Sequence, residues 1–391
     1  MPKRLLFLLC LAAALACACT AETEIATKKA PFQEVLDQGA GKYLGLAKVA
    51  SETTDAGATT YTFDTASGPM CMRGDPFRMA VREGNPDDLL IFLQGGGACW
   101  STFCLAIQKA PPGIPVLDVL DTKRTTNPWR DWSVVYAPYC DGSLFAGDTD
   151  RDLDGDGKLE HQHGLRNLSA TLDIAQKRFA HPKRIALVGS SGGGFGTILA
   201  TVLVRKIYPD AEIAAVEDSG VGIGMPDDPK FLAMLLGEFN ARAMLPKSCG
   251  DYVSAGHLTR LVDWELSQDP KLRVAAFSSY EDLIMTKVFL KVDPARFHEV
   301  LVAETAKVHA NFPSRYQRFL IKGQMHTTLL GDASGLIGND LSAVVLPQDG
   351  LEALGAIELG SIDTTKVGDV TMAQWLAAMR DGAAGWVDRL E

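Results

Sequence analysis

The sequence lacks an excess of basic residues, and this excludes one class of partner. Lys and Arg together number 38 against 48 Asp and Glu, so the formal net charge is −10. Proteins that hold nucleic acid present a basic surface to the phosphates. We therefore expect no nucleic-acid partner, and the acidic balance favours solubility.

Internal repeats, low-complexity segments and a linker rich in Pro, Gly or Ser are also lacking between residues 33 and 391. Without repeats the chain is not a solenoid, and without a linker it offers no boundary between domains. Hydrophobic residues make up 47% of the sequence, as in globular proteins with a substantial core. We predict a single domain over 33–391 that carries long insertions.

An apolar run at the N-terminus is too short for a comfortable membrane span. Lys3 and Arg4 precede this run, and small residues follow it, as in a secretory signal. The segment "ALAC" ends at Cys17 and resembles a bacterial lipobox, with Cys19 as a second candidate for lipidation. We predict a lipoprotein signal over 1–19, a polar tether over 20–32 and export to the cell envelope, with simple secretion or a periplasmic location as the alternative.

Cysteine is sparse, and its use agrees with export. Of 8 cysteines, three belong to the predicted signal, which leaves Cys71, Cys99, Cys104, Cys140 and Cys249. An oxidising compartment allows disulfides, and two bridges would leave one thiol over. Cys99 and Cys104 are close enough in sequence to join the ends of a short loop, while five buried free thiols are the alternative.

Three consecutive glycines interrupt an apolar run in "LIFLQGGGACW", residues 90–100. A run of glycines at the end of a strand leaves the backbone amides without flanking side chains, which is typical of phosphate-binding loops and of oxyanion holes. No lysine follows at the position that a P-loop requires, and the spacing is not that of a dinucleotide-binding turn. The motif therefore favours an oxyanion hole.

The hydrophobic pattern predicts strands that alternate with helices. Alternation predicts a strand over 59–64, and apolar runs of strand length occupy 88–94, 132–138, 184–189, 212–218, 272–279 and 316–323. Helical spacing occupies 165–179, 195–208 and 371–390, the last as one helix or a helix pair. This alternation predicts an α/β fold with a mostly parallel central sheet and helices on both faces.

The segment "LVGSSGGGFG", residues 187–196, carries a nucleophile motif. Gly189, Ser191 and Gly193 match G-x-S-x-G between a predicted strand and a predicted helix, which is typical of a nucleophile elbow. Glycines leave room for a sharp turn that exposes the serine hydroxyl at the positive end of the helix. Ser191 is the predicted nucleophile, and its neighbour Ser190 does not fit the motif.

A serine nucleophile needs a histidine base, which comes last in the chain order of this motif. His257, His298, His309 and His326 follow the serine. His326 comes just after a predicted strand and a glycine, whereas His298 and His309 lie in charged segments of helical pattern. His326 is the predicted base.

The acid that orients the base has three candidates. Asp282 and Glu281 follow the predicted strand 272–279, and Asp218 ends the predicted strand 212–218. The usual topology places the acid one strand beyond Asp218, which favours Asp282.

With these residues in place, the sequence resembles the pectin acetylesterase/Notum family of carboxylic ester hydrolases. The resemblance lies in "LQGGGACW", in "YCDGSLFAGD" (139–148) and in "GSSGGG" (189–194), where Gly192 stands at a position usually held by alanine. It implies an α/β-hydrolase-like fold, a Ser191–Asp282–His326 triad and an oxyanion hole of backbone amides. The implied oxyanion residues are Gly96, Gly97 and Gly192, and the implied disulfides are Cys71–Cys140 and Cys99–Cys104.

An acidic insertion spans residues 147–164. Asp152, Asp154 and Asp156 match D-x-D-x-D-G, in which alternate carboxylates converge on a hard cation. The pattern leaves two interpretations open, a solvated acidic loop without metal and a structural calcium site. His161 and His163 are an alternative pair of zinc ligands. The hydrolysis itself is expected to need no cofactor.

Together these patterns predict an exported serine ester hydrolase that removes acetyl or another short acyl group from a carbohydrate such as pectin. A broader carboxylesterase or lipid deacylase is the alternative within the same chemistry. An inert envelope-binding protein on the same fold is the alternative from another class.

Overall fold

The computed structural model describes residues 30–249, 256–329, 344–345 and 358–391. The predicted signal and most of the predicted tether, residues 1–29, lie outside these residues. Phe32, the last residue of the predicted tether, is buried, and its ring lies 5.5 Å from that of Trp264. Residue 32 therefore already packs into the core.

Seventeen strands occur in the described residues. They are β1 (Val49–Asp55), β2 (Ala58–Phe63), β3 (Arg78–Arg82), β4 (Asn85–Leu93), β5 (Gly97–Trp100), β6 (Phe103–Ile107), β7 (Trp132–Ala137), β8 (Thr149–Arg151), β9 (Glu160–Gln162), β10 (Arg184–Ser190), β11 (Glu212–Asp218), β12 (Leu272–Ser279), β13 (Tyr316–Ile321), β14 (Val344–Val345), β15 (Lys366–Val367), β16 (Val370–Thr371) and β17 (Arg389–Leu390).

The described residues also form seven α-helices and one π-helical segment. The helices are α1 (Gln33–Asp37), α2 (Gly164–Arg178), α3 (Gly192–Ile207), α4 (Phe231–Glu238), α5 (Thr259–Gln268), α6 (Pro294–Asn311) and α7 (Met372–Arg380), and the π-helical segment is Ile284–Phe289. Among the described residues, no helix combines the length and the apolar character needed to cross a lipid bilayer.

The large sheet is mixed, which corrects the prediction of a mostly parallel one. Its order is β1-β2-β3-β7-β4-β10-β11-β12-β13-β17. Seven neighbouring strands of this sheet, β7, β4, β10, β11, β12, β13 and β17, run parallel. The other three, β1, β2 and β3, form an antiparallel edge in which β1 pairs with β2, β2 with β3, and β3 with β7. The antiparallel edge follows from a tight connection: Ala56 and Gly57, both with positive φ, join β1 to β2 in a two-residue turn.

The parallel strands are buried on both faces. In β4, Leu89 and Ile91 belong to one hydrophobic core, and Leu90 and Phe92 belong to the other. Helices α2, α3, α5 and α6 cover the first core, and α7 covers the second. This double burial explains why these strands read as continuous apolar runs in the sequence.

The C-terminal helix is shorter than the predicted 371–390. A capping box formed by Thr371 and Gln374 begins α7, and the segment around Gly382, which has a positive φ of 62°, follows its end. Trp375 and Trp386 are both buried, and their ring centroids lie 6.4 Å apart. The two tryptophans therefore act as packing anchors.

Two disulfides occur among the described residues, one in the hairpin that follows the three glycines and one at the YCDG segment. Cys99 and Cys104 lie directly opposite each other in the β5–β6 hairpin and are bonded, and Cys71 is bonded to Cys140. The bridges close loops of very different size, with sequence separations of 5 and 69.

The difference in loop size predicts a difference in stability. A cross-link removes more entropy from the unfolded chain when its loop is longer, so losing the Cys71–Cys140 bridge should cost roughly 4 kcal/mol and losing Cys99–Cys104 roughly 2 kcal/mol. Urea unfolding of Cys71→Ser/Cys140→Ser and of Cys99→Ser/Cys104→Ser measures both losses. Equal losses, or a larger loss for the short loop, would contradict this account.

Candidate active site

Ser191 occupies a strained turn between β10 and α3. Its φ of 55° and ψ of −120° lie in a region that residues other than glycine rarely adopt. The turn is tight enough that a Cβ on Gly189 would lie 2.0 Å from the carbonyl oxygen of Gly193. This tight turn brings the serine to the N-terminus of α3, where the helix dipole is positive.

The histidine and one carboxylate lie in line with this serine. The Nε2 atom of His326 is 2.8 Å from Ser191 Oγ, and its Nδ1 atom is 2.9 Å from each carboxylate oxygen of Asp282. All three side chains are buried. Because a carboxylate only accepts hydrogen bonds, Nδ1 carries a proton and Nε2 is free to accept one from the serine hydroxyl. The arrangement can work as a general base.

Among the three acid candidates, Asp282 is the residue that contacts His326. The neighbouring Glu281 is partly exposed, and its backbone amide donates to the carbonyl of Gly323 at 3.1 Å. The remaining histidine candidates lie elsewhere: His257 accepts from the Gly224 amide, His298 stacks on Tyr280, and His309 contacts the Tyr316 carbonyl.

Asp218 has a separate role that the sequence reasoning missed. Its carboxylate accepts the hydroxyl of Ser190 at 2.6 Å and the backbone amide of Thr328 at 3.0 Å. Burial raises its pKa to about 6, and the hydrogen bond from Ser190 acts in the opposite direction. Asp218 therefore anchors the loop that carries His326. The sequence signal that could have indicated this role was the position of Asp218 at the carboxyl end of the strand beside β10.

Two of the three predicted oxyanion glycines line a cavity beside Ser191. These are Gly97 and Gly192. The Ile107 amide donates to the Gly96 carbonyl at 2.9 Å, so in the alternating ladder the next amide, that of Gly97, points away from β6. Gly96 lies one residue behind, in the part of the segment that pairs with Ile107.

Strand β5 is supported from behind by the YCDG segment and by strand β9. The Cys99 amide donates to the Gly142 carbonyl at 2.8 Å, and the Gln162 side chain donates to the Cys99 carbonyl at 2.8 Å. These contacts fix the strand that presents Gly97 to the serine.

The cavity beside Ser191 is small and apolar. Ten hydrophobic side chains line it together with Ala98 and the site residues, and the largest are Trp100, Phe195, Phe231 and Phe289. Its volume is about 40 Å³. For comparison, a cavity that holds one water molecule has a volume of about 10–15 Å³ by the same measure. Phe145 in the YCDG segment does not line this cavity and packs on Tyr139, with ring centroids 5.2 Å apart.

The acidic insertion forms a hairpin, and the structure brings its predicted calcium ligands together. Carboxylate oxygens of Asp152, Asp154 and Asp156 lie within 4.8 Å of one another, and all three residues are exposed. The Asp152 carboxylate accepts the amides of Gly155 and Gly157. The calcium site stays a prediction.

Comparison with known proteins finds similar sequences among carboxylic ester hydrolases. Residues 50–230 match the family model described as Pectinacetylesterase. The chain is 28% identical over 149 residues to pectin acetylesterase 4 of Arabidopsis thaliana, covering 35% of this chain and 36% of the relative. It is 27% identical over 173 residues to palmitoleoyl-protein carboxylesterase notum1' of Xenopus laevis, covering 38% and 34%.

A third relative, pectin acetylesterase 11 of Arabidopsis thaliana, is 25% identical over 205 residues, covering 47% of this chain and 52% of the relative. The matches thus span about a third to a half of the relatives' own length. The resemblance recognised from the glycine-rich, YCDG and serine motifs is confirmed by the family model over residues 50–230 and by these pectin acetylesterase and Notum relatives.

Proposed function

We propose that this protein is a carboxylic ester hydrolase with a serine nucleophile on an α/β-hydrolase-like fold. The single observation that carries the proposal is the contact chain from Ser191 through His326 to Asp282, with spacings of 2.8 and 2.9 Å, at the wall of an apolar cavity. The names of the relatives, pectin acetylesterase and palmitoleoyl-protein carboxylesterase, support the same reaction class.

The first half of the reaction follows from the protonation states. His326 takes the proton of Ser191 as the serine oxygen attacks the ester carbonyl, and Asp282 stabilises the imidazolium that forms. The negative charge that develops on the carbonyl oxygen lies against the amides of Gly97 and Gly192. A preorganised donor of this kind lowers the barrier by about 3 kcal/mol.

The second half regenerates the enzyme. The imidazolium of His326 gives its proton to the departing alcohol, which leaves an acyl group on Ser191. A water molecule then attacks that acyl group while His326 again accepts a proton. The serine hydroxyl is restored when the carboxylic acid departs.

The size of the cavity supports a short acyl group. A volume of about 40 Å³ corresponds to roughly three waters, and its apolar walls suit the methyl end of an acetyl or butyryl chain. The alcohol side is proposed to be a carbohydrate such as pectin, on the strength of the pectin acetylesterase relatives.

A lipid deacylase is the second candidate, and the apolar walls around Trp100 and Phe231 favour it. The two candidates differ in acyl length. Export, with lipidation at Cys17 or Cys19, stays a proposal, and the two disulfides support an oxidising compartment.

The nucleophile is tested with a fluorophosphonate probe and p-nitrophenyl acetate. We expect Ser191→Ala to lose labelling and to lower kcat by about 10⁴- to 10⁶-fold, because the attacking oxygen is gone. Ser190→Ala is the matched control, and it should still be labelled. Absence of labelling in the wild type would support the inert binding protein, and equal labelling of Ser191→Ala and the wild type would exclude Ser191 as the nucleophile.

The acid is tested by three conservative variants. We expect Asp282→Asn to lower kcat by roughly 10⁴-fold, since the amide no longer holds the productive tautomer of His326. Asp218→Asn should cost up to about 10²-fold by displacing the histidine loop, and Glu281→Gln should change kcat/KM by about twofold or less. A larger loss for Glu281→Gln than for Asp282→Asn would reassign the acid.

Acyl length is tested with p-nitrophenyl esters from acetate to palmitate, and with acetylated pectin and xylan. We expect kcat/KM to fall beyond butyrate, because longer chains exceed the cavity. Leu235→Ala removes a wall residue and should favour longer esters by about fourfold for each extra methylene that is buried. A rise in kcat/KM toward palmitate in the wild type would favour the lipid deacylase.

A further inference from the structure

Two histidines and one aspartate converge on one face of the β8–β9 hairpin, outside the proposed active site. Asp150 in β8 lies directly opposite His161 in β9. His163 follows two residues later, so the alternation of strand side chains directs it to the same face. Candidate ligand atoms of the three residues all lie within 4.8 Å of one another. The sequence pointed to the two histidines, and the structure adds the aspartate.

The hydrogen bonds of His163 contain a conflict. Its Nδ1 atom lies 2.6 Å from the carbonyl oxygen of Gly68, which can only accept, so Nδ1 carries the proton. Its Nε2 atom lies 2.8 Å from Asp150 Oδ1, which is also an acceptor. A neutral His163 therefore directs a lone pair at a carboxylate.

This conflict lies in the protein interior, because the His163 side chain is only 2% exposed. Meanwhile Asp150 Oδ1 is shared, since His161 Nδ1 lies 2.6 Å from the same oxygen.

We propose that Asp150, His161 and His163 bind a divalent transition-metal ion of the Zn²⁺ class. The ion would accept the lone pair of His163 Nε2 and the charge of the Asp150 carboxylate at once. The Nδ1–H bond from His163 to the Gly68 carbonyl is the outer contact that metal-bound histidines usually make.

The donor set selects the class of metal. Two imidazoles and one carboxylate suit Zn²⁺ and its neighbours, whereas Ca²⁺ takes oxygen ligands only. Ligand atoms around a tetrahedral ion are about 3.3 Å apart, given metal–ligand bonds of about 2.0–2.1 Å, so the present contacts must open by roughly half an ångström. Asp150 can move this far because its side chain is 42% exposed.

The nearby cations do not compete for these ligands. Arg166 pairs with Asp148 at 3.0 Å, and Arg73 pairs with Glu160 and lies 3.6 Å from Asp154. The ion would sit beside Gln162, whose side chain holds the Cys99 carbonyl of β5. Metal binding would therefore stiffen the support behind the oxyanion strand without entering the reaction.

The test measures Zn²⁺ binding to the full chain after dialysis against a chelator. We expect calorimetry to give one Zn²⁺ per chain and a higher melting temperature with Zn²⁺. Replacement by Co²⁺ should give the visible absorption of a four-coordinate ion. Asp150→Asn and His161→Gln should each weaken Zn²⁺ binding by at least about tenfold, while their melting temperatures without metal stay close to that of the wild type.

Two control variants separate this site from other ligands. Asp152→Asn changes the acidic loop of the same hairpin and should leave Zn²⁺ affinity unchanged, while it abolishes any stabilisation by Ca²⁺. Cys249→Ser removes another side chain that could bind Zn²⁺ and should also leave Zn²⁺ affinity unchanged. The proposal is overturned if the wild type shows no saturable Zn²⁺ binding, if Asp150→Asn and His161→Gln bind as the wild type does, or if a control variant alone loses the metal.

Discussion

Two buried carboxylates hold the loop that carries His326, and the geometry of the proposed site depends on both. Asp282 fixes the imidazole ring through Nδ1, and Asp218 fixes the backbone just after the histidine through the Thr328 amide. One contact sets the rotation of the ring and the other sets its position. Reacting groups must be held this closely, because a displacement of about 1 Å can cost about 10²-fold in rate.

The parallel part of the sheet explains how four residues from distant parts of the sequence meet. Strands β10, β11, β12 and β13 are neighbours in the sheet. Ser191, Asp218, Asp282 and His326 each lie at or just beyond the carboxyl end of one of them. Because parallel strands present their carboxyl ends at one edge, one residue from each strand is enough to assemble the site.

The features that a local sequence pattern encodes were predicted correctly. Apolar runs predicted the strands, and the glycines around Ser191 predicted the turn, because side chains at those glycine positions would not fit into it. The antiparallel edge formed by β1, β2 and β3 was missed, since apolar runs alone do not tell which way a strand pairs. This error lies away from the four strands that carry the proposed site, so the site prediction did not depend on it.

Long-range partners were harder to predict than local motifs. The choice of Asp282 over Glu281 depends on which side chain faces His326, and neighbouring residues have nearly the same sequence context. The part played by Asp150 also depends on register, since it lies 11 residues from His161 but directly opposite it in the hairpin. The pairing of two strands supplies information that spacing in the sequence lacks.

The resemblance of the serine motif to the family's led us to expect alanine at position 192, and the surroundings of Gly192 explain what glycine changes there. A Cβ at this position would lie 2.9 Å from the Gly97 carbonyl oxygen and 3.6 Å from the Leu144 side chain. The backbones of the elbow and of β5 therefore touch directly, with no methyl group as a spacer. In protein engineering, positions 97 and 192 must therefore be changed together. Alanine at position 192 would fit only if strand β5 moved to make room for its methyl group.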